Sequence, residues 1–195
     1  VLLTWFPGEE YGNALADVVY GHKEPGGRLP TTWGETLEQA PVSSTDPTNG
    51  ALAYSEGLNI GYRAWAKANV TPAYHFGFGL GYTSFELSNL EVTARDNGGA
   101  EVAVDLVNSG DRDGSDVVQV YLRKSDSKVN RPVFWLAGFA KATVAAGETS
   151  RVNIELDAKR FAHYDGGWQV EPGTYELFVS RSADLSQALS TTFSI

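Results

Sequence analysis

Two adjacent carboxylates, Glu9 and Glu10, are the first side chains in this 195-residue sequence that could do chemistry. A carboxylate pair is the minimum equipment for acid–base work. Consecutive helical residues diverge by about 100° around the axis, so these two do not aim at one point. They fit a helix N-terminus instead, where the macrodipole favours negative charge. Asp111, Asp113 and Asp116 have the composition of a calcium loop. Their spacing does not fit the alternating ligands and fixed glycine of such a loop, and the run reads as a polar hairpin turn. His22, His75 and His163 lie far apart, without zinc-type spacing. Ser55 lacks the Gly-x-Ser-x-Gly elbow of a serine hydrolase. Neither a metal nor a cofactor is expected.

Glu56, with Tyr62 and Arg63, is a better candidate. A glutamate and an arginine among aromatics can touch sugar hydroxyls. They can equally form an ion pair that pins a linker between domains, and this structural reading is favoured. The aromatics Trp65, Tyr74, Phe76, Phe78, Tyr82, Trp135 and Trp168 could stack on sugar rings. Core and interdomain packing account for most of them, with Trp135 and Trp168 left as the two that could face solvent in a carbohydrate-related role. Asn69-Val70-Thr71 fits a glycosylation acceptor, a triplet common by chance.

Composition narrows the partners. The net charge is −9. Eight acidic and four basic side chains give −4 over residues 1–82; sixteen and eleven give −5 over 83–195. An acidic surface without a basic stripe disfavours phosphate backbones, so nucleic acid is not expected as a partner. With no cysteine, disulfides, thiolate chemistry and cysteine-ligated metals are excluded. No run of eighteen apolar residues is present, so no membrane span is expected. The compartment stays open, bacterial cytoplasm and secretion both being compatible.

The elements that must position these side chains fall into three stretches. Residues 1–33 read as strand, helix, strand, the end of an α/β unit. Val1 to Trp5 is an apolar run. Tyr11, Ala14, Leu15, Val18 and Val19 form a helical stripe, and Gly21 follows as a left-handed cap. Arg28 to Trp33 reads as an edge strand. The helix stripe needs a sheet beneath it, and the opening in mid-strand leads to the expectation of a C-terminal piece of a larger chain. Residues 34–50 read as a loop, and 51–82 as an aromatic connector, together a linker over 34–82. From residue 83 to 195 short alternating strands take over: Val102, Val104, Leu106; Val118, Val120, Leu122; Val152, Ile154, Leu156; Tyr175, Leu177, Val179. About seven strands in some 110 residues is the profile of an immunoglobulin-like β-sandwich. The expected class is mainly β, a sandwich preceded by a partial α/β segment.

Trp5-Phe6-Pro7-Gly8, with Gly12, Ala14, Ala16 and Asp17, resembles the "W-x-P-G-x-x-x-G-x-A-x-A-D" stretch of glycoside hydrolase family 3. Gly26-Gly27-Arg28-Leu29-Pro30 resembles its "G-R-L-P" segment. Tyr54-Ser55-Glu56-Gly57 and Gly61-Tyr62-Arg63 resemble "Y-x-E-G-x-x-x-G-Y-R". Phe76 to Phe85 resembles "F-G-x-G-L-S-Y-T-x-F", with Gly81 where serine is usual. Asn108-Ser109-Gly110, Gly114 and Val117 to Tyr121 resemble the family's fibronectin type III-like domain. The resemblance spans essentially the whole chain.

It implies a parent with a (β/α)8 barrel, an α/β sandwich domain and a fibronectin type III-like domain. This chain would hold the end of the second and all of the third. The implied parent is a retaining, exo-acting β-glucosidase, with β-xylosidase and related activities not excluded. In this family the nucleophile is a barrel aspartate, and the acid/base glutamate lies upstream of "W-x-P-G". Neither motif is present, so the resemblance carries over no catalytic residue and identifies no substrate-binding one. The implied partners are the upstream barrel and sandwich domain of the same protein, and through them a β-glucoside. The alternative is a free-standing carbohydrate-binding or protein-interaction module.

Retaining glycosidases need two carboxylates about 5–5.5 Å apart. The isolated chain is therefore expected to hydrolyse aryl β-glucosides no faster than buffer. A homogeneous preparation with turnover abolished by a point change within the chain would contradict this.

Overall fold

The structure, a computed structural model, describes residues 1–41 and 45–195. Residues 42–44, inside the expected loop, lie outside it. Strands β1 (Phe85–Ala94), β2 (Ala100–Asn108) and β5 (Thr149–Leu156) form one antiparallel sheet in the order β1-β2-β5. Strands β3 (Gly114–Arg123), β4 (Trp135–Val144), β8 (Thr174–Ser180) and β9 (Leu189–Ser194) form the second, in the order β4-β3-β8-β9. These seven are the sandwich that the turn spacing foretold. Between β5 and β8 a separate hairpin pairs β6 (Ala162–Tyr164) with β7 (Trp168–Val170).

Alternation decides which side of each strand is inside. Val102, Val104 and Leu106 of β2 meet Val118, Val120 and Leu122 of β3 in the shared core, with Val152, Ile154, Leu156, Tyr175, Leu177 and Val179. Phe161 and Tyr175 close one end edge-to-face at 5.3 Å. Trp135 is only 8% exposed, and its indole N–H donates to the Arg160 carbonyl at 2.9 Å.

A bulge interrupts the β3–β4 ladder: Val120 faces Gly138, while the next residue, Tyr121, faces Leu136. The extra residue, Ala137, stays in the core. One inserted residue exchanges the faces of the strand beyond it. Trp135 and Ala137 point inward before the bulge; Ala140 and Ala142 pack on the core after it, and Phe139 is left exposed.

The Asn108 motif is a polar staple. Its buried side chain accepts from the Thr83 hydroxyl (2.5 Å) and the Gly110 N–H (3.2 Å), and donates to the Arg112 (2.7 Å) and Val144 (3.0 Å) carbonyls. An amide so placed is fully satisfied, which burial requires.

Ahead of the sandwich, α1 (Tyr11–Val19) forms where its stripe predicts, and Gly21 follows at φ +74° with its N–H on the Val18 carbonyl. Glu9 and Glu10 precede the helix rather than occupying its first turn; the Glu10 carboxylate accepts from the Asn13 side chain at 2.7 Å. The expected flanking strands are not formed. Val1–Trp5 has no hydrogen-bonded neighbour among the described residues, and Trp5 turns to φ +50°. Residues 29–33 do lie along 74–78: Leu29 N–H donates to the Phe78 carbonyl, Gly77 N–H to the Leu29 carbonyl, and Trp33 bridges Tyr74. Pro30 contributes no donor, and the pairing stays too broken for a ladder. A second helix, α2 (Tyr62–Ala68), starts after Gly61 and ends on Asn69 in the left-handed conformation.

Leu122, fully buried between the sheets, supplies a direct test of this core. Leu122→Ala is expected to cost about 2–5 kcal/mol of unfolding free energy, read from the urea midpoint at unchanged slope.

Candidate functional site

The densest array of engaged polar and aromatic side chains lies where residues 21–82 meet the second sheet, and β3 supplies most of it. Val118, Val120 and Leu122 face the core, so Gln119 and Tyr121 face the other way, toward the connector. Tyr62, the first residue of α2, stacks on Phe134 at 5.5 Å, lies tilted on Phe76 at 5.4 Å and meets Tyr121 edge-on at 5.9 Å. Its hydroxyl accepts the Leu136 N–H at 2.8 Å, in the stretch of β4 that the bulge distorts.

Tyr121 is fully buried and donates to the Gln119 side-chain oxygen at 2.5 Å. Burial, with Tyr62 beside it, lifts its phenol well above the ordinary tyrosine range. The Gln119 NH2 group donates to the Arg181 carbonyl at 2.9 Å. The connector passes this point on Gly77, at φ +84°, where a Cβ would collide with the Gln119 amide. The Phe76 carbonyl next to it accepts the Ala183 N–H at 2.8 Å.

At the other end of β3 sits a buried charge. Asp116 shares the parity of Val118 and Val120 and is 0% exposed. Arg28 donates to one of its oxygens through Nε (2.9 Å) and Nη2 (2.7 Å), and that oxygen also takes the Val117 N–H (2.7 Å). Arg181 Nε donates to the other, and Arg181 Nη1 reaches the Phe85 carbonyl at 3.0 Å. Around this triad Glu24 accepts the Tyr82 N–H, Tyr82 donates its phenol proton to the Val18 carbonyl, and Arg112 donates to the Gly21 carbonyl.

The candidates from the sequence scatter. Glu56 and Arg63 do not form the expected ion pair; Arg63 lies over its neighbour Tyr62 at 5.7 Å. Asp111 and Asp113 are exposed, and Asp113 accepts the Ala146 N–H in a turn. Asp116 was grouped with that turn and belongs instead to β3, because the strand begins at Gly114. His22 is exposed near Asp17, and Ser55 is exposed in a turn. Trp65 is buried in α2, and Trp135 is in the core. Trp168 is 59% exposed on β7, edge-on to Tyr164 with the Lys159 ammonium over its ring. Asn69 serves as the cap of α2. Among the described residues, no group of three or more metal-ligating side chains converges. Sequence reasoning places no role on Arg28, Gln119 or Arg181, and it puts Asp116 in the wrong element. The available signal was a charge at a core-facing parity in a strand.

This arrangement holds rather than reacts. Each Asp116 oxygen accepts from an arginine. Elsewhere, Glu171 pins the β3–β4 loop: it accepts from the Ser127 hydroxyl and the Lys128 N–H (2.6 Å each) and from Arg131 Nε (3.3 Å). Desolvation opposes its charge, yet the Lys128 N–H, the Ser127 hydroxyl and Arg131 hold the carboxyl down at about 2, from an ordinary 4.5.

Comparison with known proteins follows the same two-part division. Residues 1–82 match the family described as glycosyl hydrolase family 3 C-terminal domain, and residues 116–183 match the fibronectin type III-like domain. A β-glucosidase from Rhizobium radiobacter is 40% identical over 193 residues, covering 94% of this chain and 24% of that protein. A β-glucosidase from Kluyveromyces marxianus is 41% identical over 187 residues, covering 93% and 22%. The structure of β-glucosidase 3B from Thermotoga neapolitana with α-D-glucose superposes at a TM-score of 0.90 and 35% identity, covering 98% of this chain and 27% of that one. The chain thus spans about a quarter of the length of the relatives it matches, 24% in the first case.

Glu171 makes the pH dependence predictable. Its folded pKa lies below its unfolded one, so its stabilisation is complete above about pH 4.5 and is lost as pH falls toward about 2. Urea unfolding between pH 6 and 2 should show this limb, and Glu171→Gln should flatten it.

Proposed function

We propose that this chain, whose residues 1–82 belong to the glycosyl hydrolase family 3 C-terminal domain and whose residues 116–183 belong to the fibronectin type III-like domain, is the non-catalytic C-terminal part of a retaining β-glucosidase. The observation that carries this reading is α1. Its apolar stripe is the one expected of a helix on a sheet, yet none of its residues is buried. Val1, Leu2, Leu3, Trp5, Phe6, Tyr11, Val19 and Tyr20 are all exposed, Phe6 fully at 100%. An apolar surface of this extent is an interface in waiting. The occupant in this reading is the portion of the parent that the relatives have and this chain does not.

The division of labour follows. Residues 1–33 complete an α/β sandwich domain, 34–82 form the connector, and 83–195 form the fibronectin type III-like domain. The substrate is a terminal β-D-glucosyl residue, held and cleaved elsewhere in the parent. This chain shapes one wall of that assembly. The sequence supports the reading through its lack of both catalytic carboxylate motifs. Relatives named β-glucosidase at about 40% identity support the substrate class.

Complementation tests it. The Rhizobium radiobacter β-glucosidase truncated before the matched region, co-expressed with this chain, is expected to co-purify with it and to regain hydrolysis of an aryl β-glucoside. Neither half should act alone. A chain that stays monomeric beside that partner, without activity returning, would overturn the proposal. Substituting Leu15→Glu and Val18→Glu on α1 should abolish co-purification while leaving the thermal unfolding of the sandwich in place.

A further inference from the structure

We propose that Asp116 is a positioning residue: held within the sandwich by Arg181, it receives Arg28 and so fixes the angle at which residues 21–82 are seated on the sandwich, a role that apolar packing at this junction cannot fill. The role is independent of any activity of the parent protein.

The geometry of β3 carries the inference. Two anchors hold residues 21–82 to this one strand. The first is the aromatic group Tyr62, Phe76, Tyr121 and Phe134. The second is the ion triad at Asp116. Tyr121 lies five positions beyond Asp116, which is about 17 Å along a strand. A body held at one point can pivot; held at two points this far apart it cannot rotate in the plane of the sheet. The aromatic anchor is held mainly by buried area, which rewards contact more than angle, with the Leu136 N–H on the Tyr62 hydroxyl as its one directional bond to β4. The triad is directional. Arg28 presents two donors of its rigid fork, Nε and Nη2, to a single Asp116 oxygen, while Arg181 occupies the other oxygen from the far side.

The cost of the arrangement argues for the same role. Asp116 is fully buried, and the Arg28 side chain is 9% exposed. Taking such charges out of water is expensive, and apolar replacements of similar volume often serve stability as well or better. Arg28 donates to no residue of its own segment beyond the neighbouring Gly27 carbonyl; its other donors all go to β3. Its reach across 88 residues of sequence therefore serves the seat, not the fold of its own stretch.

Two amides report the seat directly. The Ala183 N–H donates to the Phe76 carbonyl, and the Leu136 N–H donates to the Tyr62 hydroxyl. Both cross from sandwich to connector. Val120 and Leu177 amides lie within the sandwich and serve as the reference. In Asp116→Asn, hydrogen exchange at Ala183 and Leu136 is expected to quicken at least tenfold relative to Val120 and Leu177. The near-ultraviolet circular dichroism of the stacked tyrosines should weaken with it. Arg28→Lys should behave like Asp116→Asn, because an ammonium cannot reproduce the two-donor fork. The combined variant Arg28→Met, Asp116→Leu, Arg181→Met removes every charge at once and keeps the experiment decisive if Asp116→Asn fails to fold. It should match the parent chain in melting temperature and still show the tenfold loss at the two reporter amides. If the triple variant keeps native exchange at Ala183 and Leu136 and native dichroism, packing alone sets the seat and the proposal is wrong. If Arg28→Lys keeps native exchange at Ala183 and Leu136, charge rather than fork geometry is responsible, and the proposed mechanism fails.

Discussion

Strand β3 cannot be solvated on either side, and the rest of the structure follows from that constraint. On one side Val118, Val120 and Leu122 are needed to fill the sandwich. On the other, Gln119 and Tyr121 are buried as well, although this is the outer face of the sandwich, which would be solvent-facing unless something covered it. The cover is the connector, and the connector has no core of its own. Its α2 is two turns long, too short to persist alone in water, and it is ordered by seating Tyr62 and Trp65 against its surroundings. The sandwich thus acts as the template on which the preceding 60 or so residues take shape. The polar groups on this face of β3 are linked as well: the Tyr121 phenol donates to the Gln119 amide, and the Gln119 amide donates to the Arg181 carbonyl.

The sandwich was legible in the sequence because its signal is local. Alternation in β2, β3, β5 and β8 announces an inside and an outside without reference to anything distant, and glycine and asparagine turns space the strands. Val1–Trp5 shows the limit of that logic. Five apolar residues in a row say that burial is wanted; a strand further requires a neighbour to accept its hydrogen bonds, and none is at hand among the described residues. Phe139 was equally unreadable, since a bulge two residues earlier reverses which side it faces and no residue type at Ala137 or Gly138 demands one. Asp116 was misplaced for a different reason. Three aspartates in six residues look like a solvated turn, and a single buried carboxylate becomes sensible only when arginines 88 residues before and 65 after are known to reach it.

Of the junction, the sequence disclosed the glycines and aromatics but not their partners. Gly77, Tyr62 and Phe76 stood out by type. That Gly77 answers to Gln119, and Tyr62 to the backbone of β4, are facts of tertiary contact. The Asn108 staple lies between these extremes. Asparagine followed by a small residue and glycine suggests a turn, and the turn is there, yet its amide reaches beyond the turn to Thr83 and Val144.

The bulge in β4 has a second effect, on the sheet's outer boundary. β4 and β5 are edge strands, one in each sheet, and an unbroken edge is a row of open donors and acceptors onto which a like strand from another molecule can add. At the bulge the row loses its regular spacing, and just beyond it Gly138 lets the edge lie close against Leu156 and Ile154 of the opposite sheet. A foreign strand meets a stepped border rather than a straight one. The same inserted residue that lies beside the Tyr62 contact therefore also blunts edge-to-edge growth, and a deletion restoring the straight register would disturb that contact and straighten the border at once, leaving an edge able to template fibrous association.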